Sequence, residues 1–337
     1  MHDIVIVGGG AVGLFSASLL ERKFNVIVLE KEGNIGHKPC SGLISSNLKK
    51  FIHIKEDFVD HKVKRAVVHF PFNKSIELKK HEHVYVVNRK KFDRFLASRL
   101  GSEVRLHSKV SSLKFESEFV KVSTTREIFK SRVILGCDGA NSFVRRFFNE
   151  KPKEIVNGLI ATTEEKNYED FVEIWFDLDI LSDGFFWKIP RGETTEYGAI
   201  GSVNFEILEK FFGIKNHKKE AAPIPIGPVK SYFNRTLLIG DAAGTTKPWS
   251  GGGVIYGFTC AEIASRILDE AFRKNNFTEN FLKRYETEWR KKLGKNIGFG
   301  MFFREMLKEM SNKELSGLVE KISKNNLNKF DMDFPFF

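Results

Sequence analysis

Residues 3–7 (DIVIV) form a β-branched run, the pattern of a strand buried on both faces. Residues 12–22 (VGLFSASLLER) follow with a helical pattern, and 25–30 (NVIVLE) read as a second buried strand. Together they predict a βαβ unit. Residues 63–70 (VKRAVVHF) and 76–87 alternate like strands. In 90–100 (KKFDRFLASRL), Phe92, Phe95, Leu96 and Leu100 share one helix face. Four short alternating strands are expected from 103 to 135, a meander ending in SRVILGCDG, and 155–203 is again strand-rich. The proline-broken stretch 217–229 (HKKEAAPIPIGPV) reads as a surface connection. Residues 236–241 (TLLIGD) return to the buried-strand pattern, 252–272 form a helix, and the rest to about 326 is helical and basic.

The order of these blocks predicts an α/β chain. A Rossmann-like nucleotide-binding domain is assembled from 1–60, 88–150 and 231–272. An interleaved antiparallel-sheet substrate domain comes from 61–87 and 151–230, and a C-terminal helical region spans 273–337. A second sheet that grows out of the first domain leaves a cleft between them, a common place for a ligand.

Composition adds constraints. The 337 residues are 42% hydrophobic and 29% charged, with a net charge of +11. No secretory leader pattern and no run of about 18 apolar residues is visible, so a cytoplasmic protein is expected. The cysteines, Cys40, Cys137 and Cys260, form no CxxC and no even framework, which fits a reducing compartment; no metal site is expected. The positive charge suits anionic lipid headgroups or phosphorylated ligands, and no nucleic-acid motif accompanies it. An A/T-rich coding sequence would produce the same Lys and Phe excess. The 33 Phe fit either a large apolar pocket or a Phe-rich core.

Three glycine-containing turns carry the candidate chemistry. In Gly8-x-Gly10-x-x-Gly13, Gly8 allows the tight turn, Gly10 a close approach of pyrophosphate, and Gly13 close packing of helix on strand. Glu30 ends the next strand, where a carboxylate accepts ribose hydroxyls. This unit indicates a dinucleotide without choosing FAD over NAD. The second turn is Gly136-Cys137-Asp138-Gly139, and the third is Gly240-Asp241-Ala242-Ala243-Gly244. Glycines Gly251, Gly252 and Gly253 then open the helix that begins near Val254.

In this order the motifs resemble the FAD-binding fold of para-hydroxybenzoate hydroxylase-type flavoproteins, over nearly the whole chain. The resemblance implies FAD as cofactor. It assigns ribityl contacts to Asp241 and the region of Gly244, ring contacts to Gly252, Gly253 and Val254, and further cofactor contacts to Val12, Arg89 and, through its backbone, Val110. Asp138 is expected to order its own turn.

Two stretches narrow the resemblance to the geranylgeranyl reductase family. Pro39-Cys40-Ser41-Gly42 resembles that family's cysteine loop beside the flavin. Phe185-Phe186-Trp187-Lys188-Ile189-Pro190 resembles its YxWxFP motif, with Phe185 for Tyr and Ile189 for Phe. Tyr285 and Trp289 sit near an aromatic pair of that family's C-terminal helix. The implied activity is saturation of C=C bonds in a polyprenyl lipid or diphosphate by hydride from reduced flavin. Phe185, Trp187 and Pro190 are then the substrate-side candidates, against a bland reading as sheet core. Cys40 and Ser41 with Gly42 would touch the cofactor, and Cys40 is the candidate proton donor, against a reading in which only its backbone and small size matter. NAD(P)H or a ferredoxin-like protein would deliver electrons, and a monomer with peripheral contact to an anionic membrane is expected. The alternatives are a monooxygenase or halogenase, since FFWKIP is also close to a halogenase WxWxIP motif, and a flavin-binding electron carrier, which would have a filled core instead of a tunnel. The final FDMDFPFF is a tail or an apolar plug.

Overall fold

The computed structural model describes residues 1–321 and 331–334. The end of the expected helical region 273–337, and Phe330 with 335–337 of the tail, lie outside the described residues. Strand β1 (His2–Val7), helix α1 (Ala11–Leu20) and strand β2 (Val26–Leu29) form the expected opening unit. Strand β3 (Leu43–Ile44) precedes the hairpin β4 (Val59–Phe70) and β5 (Lys74–Val87), then helix α2 (Arg89–Ser98). Strands β6 (Glu103–Arg105), β7 (Val110–Phe115), β8 (Val120–Thr124) and β9 (Ile128–Gly136) lead into the short helix α3 (Phe143–Phe147). Next come β10 (Glu154–Thr163), β11 (Phe171–Trp175), β12 (Phe185–Pro190), β13 (Thr195–Gly201), α4 (Phe205–Phe212) and β14 (Lys218–Ile226). The chain ends its sheets with β15 (Tyr232–Phe233) and β16 (Thr236–Leu238), then runs through α5 (Val254–Arg273), α6 (Glu279–Glu309) and α7 (Asn312–Lys321).

Two sheets result. The first has the order β15-β16-β9-β1-β2-β6, with β7 and β8 continuing from β9. Its pairs from β16 through β6 are parallel. The opening β-branched run explains its burial on both faces. Ile4 and Ile6 enter the core beneath α1 and α5, while Val5 and Val7 enter the core on the opposite face. The second sheet has the order β14-β10-β13-β12-β11-β4-β5-β3. It is antiparallel except where β11 runs parallel to β4.

Three expectations are corrected. The meander has three strands, because β6 pairs parallel with β2 instead of β7. The stretch 217–229 is not a surface connection: most of it is β14, paired along its length with β10. Pro223 and Pro225 are tolerated because β14 is an outer strand, and residues two apart turn the same side toward the free edge, where no ladder bond is lost. Helix α4 (Phe205–Phe212), within the expected sheet domain 151–230, was not expected. Asn204 caps it by accepting from the Ile207 N–H at 3.0 Å, and Gly213 ends it at φ +64°. Among the described residues, no helix is long and apolar enough to cross a membrane.

Candidate active site

The glycines of the first turn divide into two kinds. A Cβ on Gly13 would lie 2.0 Å from the Gly8 carbonyl oxygen, and one on Gly8, at φ +108°, would lie 2.4 Å from the Cys137 carbonyl oxygen. Both are close-packing positions. At Gly10 a Cβ would meet nothing within 4 Å, so the backbone there faces open space. Gly10 is also the N-cap of α1, and no side chain caps that end. Beside it, Glu30 holds its carboxylate in place by accepting from Gly9 N–H at 2.6 Å and Glu32 N–H at 2.9 Å. An open glycine cradle and an uncapped helix start, which donate, and a carboxylate fixed at the strand end, which accepts, are the groups a dinucleotide needs.

The other two turns are locked to each other. Asp138 accepts from Phe143 N–H at 2.6 Å and Val144 N–H at 3.1 Å, and so caps α3 as expected of a turn-ordering residue. Arg145 is buried and donates to the carbonyls of Asp241 and Ala242, both at 3.3 Å, and to that of Ala140. Sequence reasoning missed this tie. The Asp241 carboxylate is paired with Lys38. Gly244, at φ +65°, packs against the Gly227 carbonyl, where a Cβ would lie at 2.3 Å. The loop Gly251–Gly253 ends at α5, a 20-residue helix with no side-chain cap and no acidic residue in its first turn. Its N–H groups and dipole face the cavity that Gly252, Gly253 and Val254 line.

The cysteine loop is held from two sides. The Cys40 thiol accepts from Gly42 N–H at 3.4 Å and lies against the Arg89 guanidinium. Arg89 is not a solvated helix-start residue: it is buried and paired with Asp93 at 3.1 Å. Burial works to lower its pKa, but Asp93 and Cys40 raise it on balance. Gly42, at φ +68°, sits on Val87, whose carbonyl oxygen a Cβ would meet at 2.0 Å. From the other side Arg191 donates to the Ser41 carbonyl, to Asp60 at 2.9 Å, and to Glu196 from Nε at 2.9 Å. Glu196 is fully buried and also accepts the Trp187 indole N–H at 2.9 Å. One network therefore joins the aromatic motif of β12 to the cysteine loop. The other two thiols are inert: burial pushes Cys137 far up and Cys260 up to about 12.

Strand alternation sorts the aromatic block. Phe185 and Trp187 face the cavity, with ring centroids 5.9 Å apart. Phe186 faces the other side and stacks on Phe211 of α4 at 3.9 Å. Gly198 makes room for Trp187, since a Cβ there would lie 2.2 Å from the indole ring. Pro190 is buried beyond the cavity lining, opposite Thr195. Tyr285 and Trp289 are core residues that donate to the Leu238 carbonyl and the Ser231 hydroxyl, both at 2.9 Å.

One cavity of about 980 Å³ joins these parts. Its polar end is lined by Gly8, Gly10, Val12, Glu30 and Val110, its middle by Cys40, Ser41, Arg89, Asp241 and the glycine loop. Its far wall is apolar, with Val172, Ile174, Ile200 and Ile224 beside Phe185 and Trp187. Gly13, Gly42, Gly244 and Pro190 stand outside the lining, in the packing positions given above. This volume lies at the upper end of the ~300–1,000 Å³ typical of small-molecule sites.

A family model described as an FAD binding domain matches residues 1–176. The chain belongs to this FAD-binding family. Its cradle fits the cofactor, and FAD is the dinucleotide it takes. Digeranylgeranylglycerophospholipid reductase of Methanocaldococcus jannaschii is 28% identical, over 96% of this chain and 91% of that protein. A geranylgeranyl bacteriochlorophyll reductase-like protein of Thermoplasma acidophilum has the same fold, with a TM-score of 0.86 at 22% identity over 99% of this chain and 93% of that one. A halogenase solved with FAD shares the fold more distantly, with a TM-score of 0.71 at 15% identity over 86% and 73% of the two chains.

Proposed function

We propose that this protein is an FAD-dependent reductase that saturates C=C bonds of a polyprenyl, geranylgeranyl-type lipid or diphosphate. The observation that carries the reading is the single cavity in which a dinucleotide cradle runs into an apolar, aromatic wall. The names of the reductase relatives support the same substrate class. A flavin electron carrier without a substrate would have that second half filled.

In this reading Gly8 and Gly10 with the start of α1 hold the pyrophosphate, and Glu30 accepts the ribose hydroxyls. Arg89 supplies positive charge beside them, and Val110 borders the adenine. Asp241 binds the ribityl chain, exchanging its Lys38 contact for hydroxyl groups. Gly252, Gly253 and Val254 lie against the ring, where the dipole of α5 favours negative charge. Bound and reduced, FAD supplies a hydride equivalent to the alkene. The protein binds the prenyl chain along Phe185, Trp187 and the aliphatic wall, at about 25 cal/mol per Å² of apolar surface covered. It thereby orients one double bond and excludes water and oxygen from it. Cys40, whose thiol faces the cavity beside Arg89, is positioned to give up the proton that completes saturation. NAD(P)H or a ferredoxin-like protein supplies the electrons. The net charge of +11 and exposed Phe299 and Phe302 on α6 favour peripheral contact with an anionic membrane.

The test is a single turnover. The purified yellow protein is reduced without oxygen, and geranylgeranyl diphosphate or an unsaturated ether lipid is added. Flavin reoxidation with a product two hydrogens heavier is expected. No reoxidation by any prenyl compound, with NADPH-driven peroxide release or a hydroxylated product in air, would replace this reading with the monooxygenase one.

A further inference from the structure

Close to the C-terminus, the described residues 331–334 carry a buried acid. Asp333 is fully buried, and its carboxylate pairs with Lys247 at 2.8 Å, where Lys247 is itself buried. The same carboxylate accepts from the Ser45 hydroxyl and from the Asn47 side chain at 2.9 Å. The backbone is held as well. Tyr256 of α5 donates its hydroxyl to the Asp333 carbonyl at 2.7 Å, and Lys247 reaches the Met332 carbonyl at 3.3 Å. Asp331 accepts from the N–H groups of Asp333 and Phe334, at 2.7 and 3.1 Å, which shapes the turn. Phe334 packs on Tyr256, with ring centroids 5.9 Å apart.

Two features give this strap a place in the site. Met332, Asp333 and Lys247 all line the cavity. Lys247 also closes the glycine loop: its N–H donates to the Gly252 carbonyl at 3.0 Å, and its carbonyl accepts from Gly251 N–H at 2.8 Å. A segment that only covered apolar surface would need no carboxylate. A buried ion pair contributes little net stability against a hydrophobic pair, but it is satisfied in one geometry only, and removing either partner strands the other charge.

We propose that Asp331–Phe334 is a latched wall of the substrate cavity, that the Asp333–Lys247 pair is its latch, and that this wall limits the length of prenyl chain the cavity accepts. The part that concerns substrate rests on the reductase reading; the part that concerns the wall does not. With the strap seated, the cavity is closed beside the glycine loop. With it released, the space beside Ser45, Asn47 and Tyr256 becomes available to a longer chain. Asp333 is a positioning and specificity residue here, and it carries no chemistry.

The experiment compares the full chain with Asp333→Asn, with Lys247→Met/Asp333→Asn, and with a chain ending at residue 330. Retained FAD and an unchanged circular dichroism spectrum establish folding for each. Geranyl, farnesyl and geranylgeranyl alcohols are titrated against an anilinonaphthalene sulfonate dye in the cavity, a readout that needs no catalysis. The same chain lengths, as diphosphates, are then compared by KM and kcat. Shortening the tail and Asp333→Asn should each raise the preference for the longest over the shortest chain by about fivefold or more in dye displacement and in KM, with kcat little changed. The double variant, which lacks the latch but no longer strands an ammonium, should shift the profile less than Asp333→Asn does. Identical chain-length profiles in all four proteins would overturn the proposal. A shifted dye profile with no turnover of any prenyl diphosphate would keep the wall and reject the reductase reading. If the shortened chain fails to fold, the comparison of the full chain with Asp333→Asn decides.

Discussion

Gly13 and Cys40 stand for two kinds of residue here, one that packs the fold and one that the proposed reaction calls on. A methyl group at Gly13 would lie 2.0 Å from a backbone oxygen that cannot turn away. Gly13→Ala should therefore cost about 3 kcal/mol, the upper end for overpacking, and yield a chain that loses FAD on gel filtration. Wild-type melting behaviour with full FAD content would refute close packing as the reason for that glycine. Cys40→Ala should keep its FAD, because the Gly42 turn and the contact of Arg191 with Ser41 still hold the loop when the thiol's contacts with Gly42 N–H and Arg89 are lost. Its anaerobic reoxidation by a prenyl substrate should slow by about a hundredfold or more, the range for removing a general acid. Unchanged turnover removes the thiol from the chemistry. The glycines were legible one residue at a time because each turn needs a bare backbone within a few residues of its own sequence. Arg89 was legible as a cavity residue, but its partner Asp93 was not sought, although the spacing of one helical turn was available.

At the scale of elements, the network that links strand β12, the following hairpin and the cysteine loop is the part that was hidden. Arg191 lies 150 positions from Ser41 and 131 from Asp60 along the chain. No local pattern reports such a pairing. Burial lowers the Arg191 pKa, but Glu196 and Asp60 raise it on balance, so the guanidinium stays charged. Arg191→Ala would leave Glu196 buried with only the Trp187 indole as partner, at a cost of about 3–5 kcal/mol. Arg191→Lys should recover part of that stability while Trp187 fluorescence still differs from the wild type, because an ammonium does not reproduce the fork. Thermal melts and tryptophan emission check both, and equal melting temperatures for the three proteins would dismiss a stabilising role for the Arg191 network. The same scale explains why β14 was missed. Its two prolines signal a break when read along the chain, and they become harmless only once the strand is known to lie at a free edge.

At the scale of the whole molecule, remote segments meet around one cavity, and the tail completes its wall. The paired hydrophobic faces of β1 and β2 were readable, and so was the order of the three glycine turns. The meeting of Asp333 with Lys247, Ser45 and Asn47 joins three parts of the chain that share no motif. Burial pushes the Asp333 pKa up, but Lys247, Ser45 and Asn47 more than offset it and hold the pKa below its ordinary value. A carboxyl whose folded pKa is depressed stabilises above its unfolded value of about 3.9 and loses that contribution as pH falls through the folded value. The groups around it are Lys247, the Tyr256 hydroxyl, and Asp331 within its own turn. The strap should therefore stay seated from neutral pH down to about pH 4 and release only below it. Limited proteolysis of the C-terminus across that range, with an acid-stable protease, checks this; release between pH 5 and 7 would contradict it.

The central claim is that the flavin and an apolar chain share one cavity. The visible absorption spectrum of the purified protein, recorded while geranylgeraniol is added, tests this most directly. One FAD per chain should be present, and its bands should shift saturably with the lipid in the wild type, while Trp187→Ala binds the lipid more weakly. A colourless protein after reconstitution, or a flavin spectrum indifferent to the lipid at saturation, would contradict the shared cavity.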